Sequence, residues 1–545
     1  MDNLVTISTE YGPINGCKKT SILGREYYNF QKIPYMKAPI GKLRFVDPQP
    51  PEKWNEPLDC TKEGPPFCNV FFADQKYQGE LTGVHINVFT NNIDPKVPYP
   101  VLVWIHGGGV VTGNATEEFN GPDYLMQKDV VVVTFQCRIG VFGFLSLEDP
   151  ELNIPGNAQF KDHIFALKWI QKNIANFGGD AGNVTLFGES WGGGSSCYHL
   201  LSEKSKNLFH RAILMSGTAL NNIYTYFPRS NWALRLCQKL GYEGPEDEKS
   251  LLEFLENADE REIVMVSAQV LTDEEKNIDG YICPFGPTIE PYDNGNAFLT
   301  DDIIKMAKTA WGNDIDIMIG NTSNEMLMLS LCTHMPAFLD TYKSFQRYVP
   351  REFELPINSE KRVKYAELIK KSYYGEEEPT VDNVTGLMGV NNDSILWHPT
   401  YRILMSRLTH GKGKSFAYRF DYVTNNNLMR IKYNIPVDLP DANHGDDVSY
   451  LFRMKGLEYE NFSLSLNSPA FDGIKLMTSI VTNFAKFGNP NVPELKDVKW
   501  IPCSLESPLY GLNINEKGSE MKEFPEYERF KVFNQIFEEE NKMLY

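Results

Sequence analysis

Gly188-Glu189-Ser190-Trp191-Gly192 follows the apolar run Val184-Thr185-Leu186-Phe187 and opens a run of small residues, Gly193-Gly194-Ser195-Ser196. An apolar strand, a sharp turn and a helix of small residues, in that order, hold one serine at the tip of the turn with its hydroxyl exposed as a nucleophile. Such a turn needs glycine on both sides, because a side chain there would strike the crossing backbone. Alone, the pentapeptide is a moderate signal. Its weight comes from what surrounds it.

Outward from the turn, strands and helices alternate. Val101-Leu102-Val103-Trp104-Ile105 and Val130-Val131-Val132-Val133 are continuous apolar runs, as expected of strands covered on both faces. Asn157 to Asn176 reads as a helix, with Phe160, Ile164, Leu167, Ile170 and Ile174 on one face and Gly178-Gly179 as its stop. Further strands are expected at Ile213-Leu214-Met215, Ile315 to Ile319 and Phe416 to Phe420. A late helix is expected from Phe471 to Phe487, ended near Gly488-Asn489-Pro490. Before all of these, Val5 to Thr9 alternates and Tyr11-Gly12-Pro13 marks a turn or irregular join. The pattern predicts an α/β fold: a large, mostly parallel central sheet with helices on both faces and a small N-terminal β region. No repeat, low-complexity tract or Gly/Ser linker interrupts residues 1–545, so one domain with insertions is expected despite the length.

Composition narrows the function. The formal net charge of −18 repels phosphate backbones, so nucleic acid is not an expected partner. Met1 to Glu10 lacks the basic and apolar segments of a secretory leader, and no apolar run is long enough to span a bilayer. Glu538 to Tyr545 carries no retention or lipidation signal, and a cytoplasmic location is expected. The nine cysteines show no C-x-x-C spacing, which argues against a metal cluster or a disulfide scaffold. No H-E-x-x-H zinc pattern is present. Gly413-Lys414-Ser415 resembles the end of a phosphate-binding loop, but Leu408 stands where its first glycine belongs. No metal and no cofactor are expected. The sequons at Asn114 and Asn321 fall inside the motifs described next and are read as chance occurrences.

Acyl transfer by serine needs a base, a group that orients the base, and donors for the oxyanion. Ser190 is the nucleophile candidate. Gly320-Asn321-Thr322-Ser323-Asn324-Glu325 places an acid after an apolar strand, and Ala442-Asn443-His444-Gly445-Asp446-Asp447 places a histidine in a later loop. The chain order serine, acid, histidine is that of α/β hydrolases. Upstream, His106-Gly107-Gly108-Gly109 follows a buried strand, and its glycines let backbone N–H groups approach a substrate oxygen. His106 itself is read as structural. His85, His163, His199, His210, His334, His398 and His410 have no partner pattern and are read as structural or solvated.

With these motifs the chain resembles the type B (cholinesterase-like) carboxylesterases, and most closely the insect alpha-esterases, cytosolic detoxifying enzymes. Phe30 to Tyr35, Asn153 to Ala158, Asn176 to Asp180 and Phe285 to Pro291 carry further similarity. The resemblance implies an α/β-hydrolase fold and a serine esterase acting on uncharged carboxylic esters, with xenobiotic or lipid esters in its range. It implies Ser190 as nucleophile, His444 as general base and acid, and Glu325 as its orienting group. The N–H groups of Gly108, Gly109 and Trp191 would form the oxyanion hole. Organophosphates are then expected as covalent inhibitors. Two alternatives stay open: a sequestering esterase that is acylated once and turns over slowly, and a non-catalytic binding protein of the same family.

The chain also departs from that family. Alanine usually stands where Trp191 stands, so the indole is expected to narrow the pocket, tilt the turn or pack into a neighbouring cavity, with an altered substrate range. Leu81-Thr82-Gly83 replaces a family Glu-Asp-Cys. That removes the second cysteine of the family's first disulfide and the acidic partner of Arg44, which must be exposed or paired differently. No tryptophan occurs between Cys68 and Gly83, which argues against a choline ester. Glu189 replaces the glutamine usual in juvenile hormone esterases. Val110 and Met326 replace phenylalanine and glycine and are expected to reshape the pocket wall.

Overall fold

The computed structural model describes residues 3–71, 76–221, 231–278, 280, 283–328, 339, 342–436, 439–459 and 462–543. Twelve of its strands follow one another across a single sheet: β1 (Leu4–Ser8), β2 (Pro13–Thr20), β3 (Glu26–Ile33), β4 (Ile86–Thr90), β5 (Tyr99–Ile105), β6 (Val131–Phe135), β7 (Gly179–Glu189), β8 (Arg211–Met215), β9 (Asp316–Thr322), β10 (Ser415–Phe420), β11 (Tyr510–Ile514) and β12 (Glu520–Glu523). Their spatial order is β1-β2-β3-β4-β6-β5-β7-β8-β9-β10-β11-β12, with the short strand Leu58–Asp59 added beside β2. Every pairing from β6 to β11 is parallel, whereas the pairings at both ends are antiparallel.

The expected N-terminal β region is present as β1 to β3. β1 to β3 extend the edge of the main sheet, because β3 pairs antiparallel with β4 from Tyr28–Thr90 to Ile33–Ile86. The apolar runs explain the parallel block. Along β5, Val101, Val103 and Ile105 enter one core and Leu102 and Trp104 the other, all at 2 % exposure or less. Strands with both faces apolar cannot stand at a wet surface, so helices cover each side. α1 (Ala158–Asn173) and α2 (Trp191–Leu201) contribute Phe160, Leu167, Ile170 and Tyr198 to the first core. α3 (Pro469–Phe487) closes the second with Ile474, Ile480 and Phe484. Burying each such side chain contributes roughly 1.5–3 kcal/mol. Ser468 caps α3 through the N–H of Phe471, and Gly488 ends it at φ +66°. α1 stops before the expected Asn176, because a tighter turn over Ile174–Phe177 takes up its last residues.

Arg44 is buried, not exposed. Its guanidinium donates to the carbonyls of Leu255 (2.9 Å) and Ala258 (2.7 Å), at the C-terminal end of the helix Glu248–Asn257, and lies 3.9 Å from Glu260. A cation there meets the negative end of the helix dipole, which replaces the missing acid. Among the described residues, Cys17, Cys60, Cys68, Cys137, Cys197, Cys237 and Cys503 are free thiols. Asn114 and Asn321 are buried and hydrogen-bonded to Thr116 and Thr400, where no glycan fits. No helix among the described residues is long and apolar enough to cross a membrane.

Candidate active site

Four parallel strands deliver the site at their C-terminal ends. Ser190 follows β7, His106 to Gly109 follow β5, Glu325 lies three residues beyond β9, and His444 sits in the long connection after β10. Ser190 has φ +57° and ψ −121°, a conformation that side-chain-bearing residues rarely adopt. The turn is held by the Ser190 N–H, which donates to the Met215 carbonyl at 2.8 Å, and by the Gly194 N–H, which donates to the Ser190 carbonyl at 2.9 Å. Gly192 is obligatory: a Cβ there would lie 2.0 Å from the Ile105 carbonyl oxygen, backbone against backbone.

Glu325 is fully buried. The N–H of Thr322 donates to one carboxylate oxygen at 2.6 Å, and the other oxygen meets His444 Nδ1 at 2.6 Å. The His444 loop is clamped in turn. The Asn324 N–H bonds the Ala442 carbonyl, the Met328 N–H bonds the Asn443 side chain, and the Asn443 N–H bonds Asp446. This leaves the Nε2 edge of His444 toward the cavity that Ser190 also lines.

Glu189 was legible only as an identity marker, yet its carboxylate lies 3.1 Å from His444 Nε2. The approach is an ion contact without hydrogen-bond geometry. Asp447, in the tight helix Asp446–Tyr450 that follows the His444 loop, adds a third buried carboxyl and accepts from the Tyr418 hydroxyl at 3.2 Å. Burial alone would depress the His444 pKa. The Glu189 charge and the bond to Glu325 outweigh it and raise the imidazole to about 9. Burial raises Glu189 as well, opposed by His444, and raises Asp447 with the help of Glu189 and Glu325. A general base must be neutral, so activity is expected to climb with rising pH toward about 9. Glu189→Gln removes the anion beside Nε2 and is expected to move that limb of the kcat/KM profile down toward the ordinary imidazole value. A limb that stays in place under constant ionic strength would contradict this role for Glu189.

The glycine loop runs at positive φ through Gly108 (+122°), Gly109 (+61°) and Val110 (+77°). Gly108 has no room for a side chain, since a Cβ would lie 2.1 Å from the Thr112 carbonyl oxygen. Val110 is a β-branched residue in a conformation suited to glycine, and such strain clusters at functional sites. Contrary to expectation, Val110 is fully buried outside the described cavity wall, because its positive φ turns the side chain inward. Met326 does line the cavity. His106 plays the expected structural part, with Nδ1 2.8 Å from the Gly107 carbonyl.

The cavity has a volume of about 300 Å³. Phe71, Phe119, Tyr342, Tyr433, Leu396, Met326, Met328, Met429 and Met454 are among its lining residues. Lys432 also lines it, its ammonium 5.6 Å from the centroid of the Phe71 ring. The Trp191 indole does not. It is 1 % exposed and lies in the first core against Phe144, Phe160 and Tyr198, so it neither narrows nor lines the described cavity. Of the histidines read as structural, His163, His199 and His398 are buried and hydrogen-bonded. His334 lies outside the described residues. Among the described residues no group of His, Cys, Asp and Glu is arranged to hold a metal.

Residues 3–533 match the model of the carboxylesterase family. The chain is 36 % identical over 544 residues to Esterase B1 of Culex pipiens, covering 98 % of each chain. It is 31 % identical over 536 residues to a juvenile hormone esterase of Tribolium castaneum, covering 92 % of this chain and 86 % of that one. The crystal structure of juvenile hormone esterase from Manduca sexta, with OTFP covalently attached, matches with a TM-score of 0.85 at 26 % identity, covering 98 % of this chain and 100 % of that one. With the buried acid–histidine pair, the strained serine turn and a family match over nearly its whole length, this chain belongs to the carboxylesterase family and is a carboxylic ester hydrolase with an α/β-hydrolase fold.

Proposed function

We propose that the protein hydrolyses uncharged, largely apolar carboxylic esters through an acyl-enzyme on Ser190. The observation that carries this reading is the His444–Glu325 pair at 2.6 Å, behind a cavity that Ser190 and the glycine loop also line. Ser190 Oγ attacks the ester carbonyl as His444 Nε2 takes its proton. Negative charge develops on the carbonyl oxygen and is met by the N–H groups of Gly108, Gly109 and Trp191. Collapse of the tetrahedral intermediate breaks the C–O bond, and His444 returns the proton to the leaving alcohol. Water then attacks the acyl-enzyme with His444 again as base, releasing the acid and Ser190.

Four methionines in the wall favour a broad range, because thioether side chains adapt to different shapes. Xenobiotic and lipid esters of modest size suit such a cavity. Lys432 disfavours a cationic ester such as a choline ester. The free thiols suit a cytoplasmic setting.

Organophosphates mimic the acyl-transfer step. Incubation with paraoxon is expected to abolish hydrolysis of 4-nitrophenyl butyrate, with one diethylphosphoryl adduct per chain on the Ser190 peptide by mass spectrometry. An adduct elsewhere, or activity that survives full labelling, would overturn the proposal. A slow-turnover, sequestering esterase is the second reading. It is favoured by the Glu189–His444 contact, which holds the base protonated at neutral pH. A burst of nitrophenol equal to the enzyme, followed by a slow steady state that quickens with pH, separates it from an efficient hydrolase.

A further inference from the structure

The Trp191 side chain is tied to the helix beside it. Its indole Nε1–H donates to Gln159 Oε1, on α1, at 2.9 Å, and both side chains are 1 % exposed. An indole N–H can only donate, so the Gln159 carbonyl oxygen must face it. The amide nitrogen of Gln159 then points at Cys137 Sγ, 3.5 Å away. From there a buried chain continues: Cys137 Sγ to His163 Nε2 at 3.3 Å, His163 Nδ1 to His199 Nε2 at 3.0 Å, and His199 Nδ1 to Ser205 Oγ at 2.7 Å. A single donor direction along the chain satisfies it, from the thiol through His163 and His199 to Ser205 or the reverse. Both imidazoles are then neutral, as burial demands.

We propose that this Trp191–Gln159 bond is a remote anchor that positions the nucleophile turn for oxyanion stabilisation. Trp191 is thus a positioning residue through its side chain, and Gln159 acts only through Trp191. The inference rests on the esterase reading above. Ser190 sits in a strained conformation, and such strain persists only where the surroundings over-determine it. Trp191 is the next residue and the first of α2. Its Cα joins the anchored indole to the backbone N–H expected to meet the oxyanion. Displacement of the packed indole therefore shifts the Trp191 Cα and the Ser190–Trp191 peptide with it, and the Gln159 bond holds the indole in place against α1.

The test separates positioning from stability. Trp191→Phe and Gln159→Leu each leave one buried polar group unpaired. The pair Trp191→Phe/Gln159→Leu leaves neither of these two groups unpaired, so its loss of stability is expected to be smaller than the sum of the single losses. Each single variant is expected to lower kcat on 4-nitrophenyl butyrate about tenfold, a fraction of the loss of an entire oxyanion donor, with KM within about twofold. The Ki of an aliphatic trifluoromethyl ketone, which presents the oxyanion, is expected to rise about tenfold in parallel. In the double variant the fall in Tm stays below the sum of the single falls, while kcat and Ki do not recover. Recovery of kcat in the double variant overturns the anchor, as do single variants that lower Tm but leave kcat and Ki at wild-type values. Should the single variants not fold, the double variant alone decides. A wild type that hydrolyses no ester overturns the esterase reading and the anchor with it, whereas wild-type turnover with unaffected variants overturns the anchor alone.

Discussion

Ser190→Ala is expected to lower kcat/KM for an aryl ester by about 10⁴-fold or more, with Tm unchanged within a few degrees. The substitution removes one oxygen from a side chain whose backbone fixes the turn by itself. The Ser190 N–H still reaches the Met215 carbonyl, and the Gly194 N–H still reaches the Ser190 carbonyl. What disappears on the proposed mechanism is the bond to the acyl carbon. The water that attacks in the second step has no acyl-enzyme to attack. His444→Gln in the same assay should cost a similar factor, and the double variant little more, because groups that act as a unit are not additive. Steady-state hydrolysis with thermal melting in parallel checks this. Wild-type hydrolysis in folded Ser190→Ala would mean that the chemistry lies elsewhere.

Gly217→Ala should reduce kcat/KM by at least about 100-fold, as misplacing a reacting group by about 1 Å commonly does. Gly217 lies two residues beyond β8, outside the serine motif. A Cβ there would sit 1.9 Å from the Ser190 carbonyl oxygen and 2.9 Å from the Gly194 N. These are backbone atoms and cannot swing aside, so the turn must move. The same carbonyl receives the Gly194 N–H, so the start of α2 moves with it. Titration of reactive serine with paraoxon, alongside kcat and Tm, checks the expectation. Full-rate labelling of a folded Gly217→Ala protein would contradict it.

The serine turn, the glycine loop and the acid and histidine loops were readable because each is local. The spacing of a few glycines and polar residues beside an apolar strand is decided by the backbone of that stretch. The apolar runs at Val101 and Val130 were readable for the same reason. What escaped the sequence is set by distant partners. Arg44 finds its carbonyls 211 and 214 residues away, at a helix end that no local pattern announces. Trp191 was recognised as unusual, but its direction depends on Gln159 in another helix, 32 residues away. Glu189 stood in plain view beside the serine. Its bearing on the base appears only when His444 is brought across the sheet to 3.1 Å. Asp447 could have been suspected from its place three residues after His444, in the same loop-to-helix join. The pairing of the N-terminal strands with β4 could not be read, because it joins Ile33 to Ile86 across more than fifty residues.

The site draws its parts from the ends of β5, β7, β9 and β10, and Glu325 meets His444 across 119 residues of chain. Among the described residues no hairpin or helix pair contains even two of Ser190, Glu325 and His444. Folding must therefore close long loops before any catalytic contact forms, a slow route that leaves unpaired strand edges exposed on the way. Partly folded chains have no weakened version of the site to offer. Ester hydrolysis regained after dilution from denaturant accordingly times the last long-range closure, while helix signals return earlier.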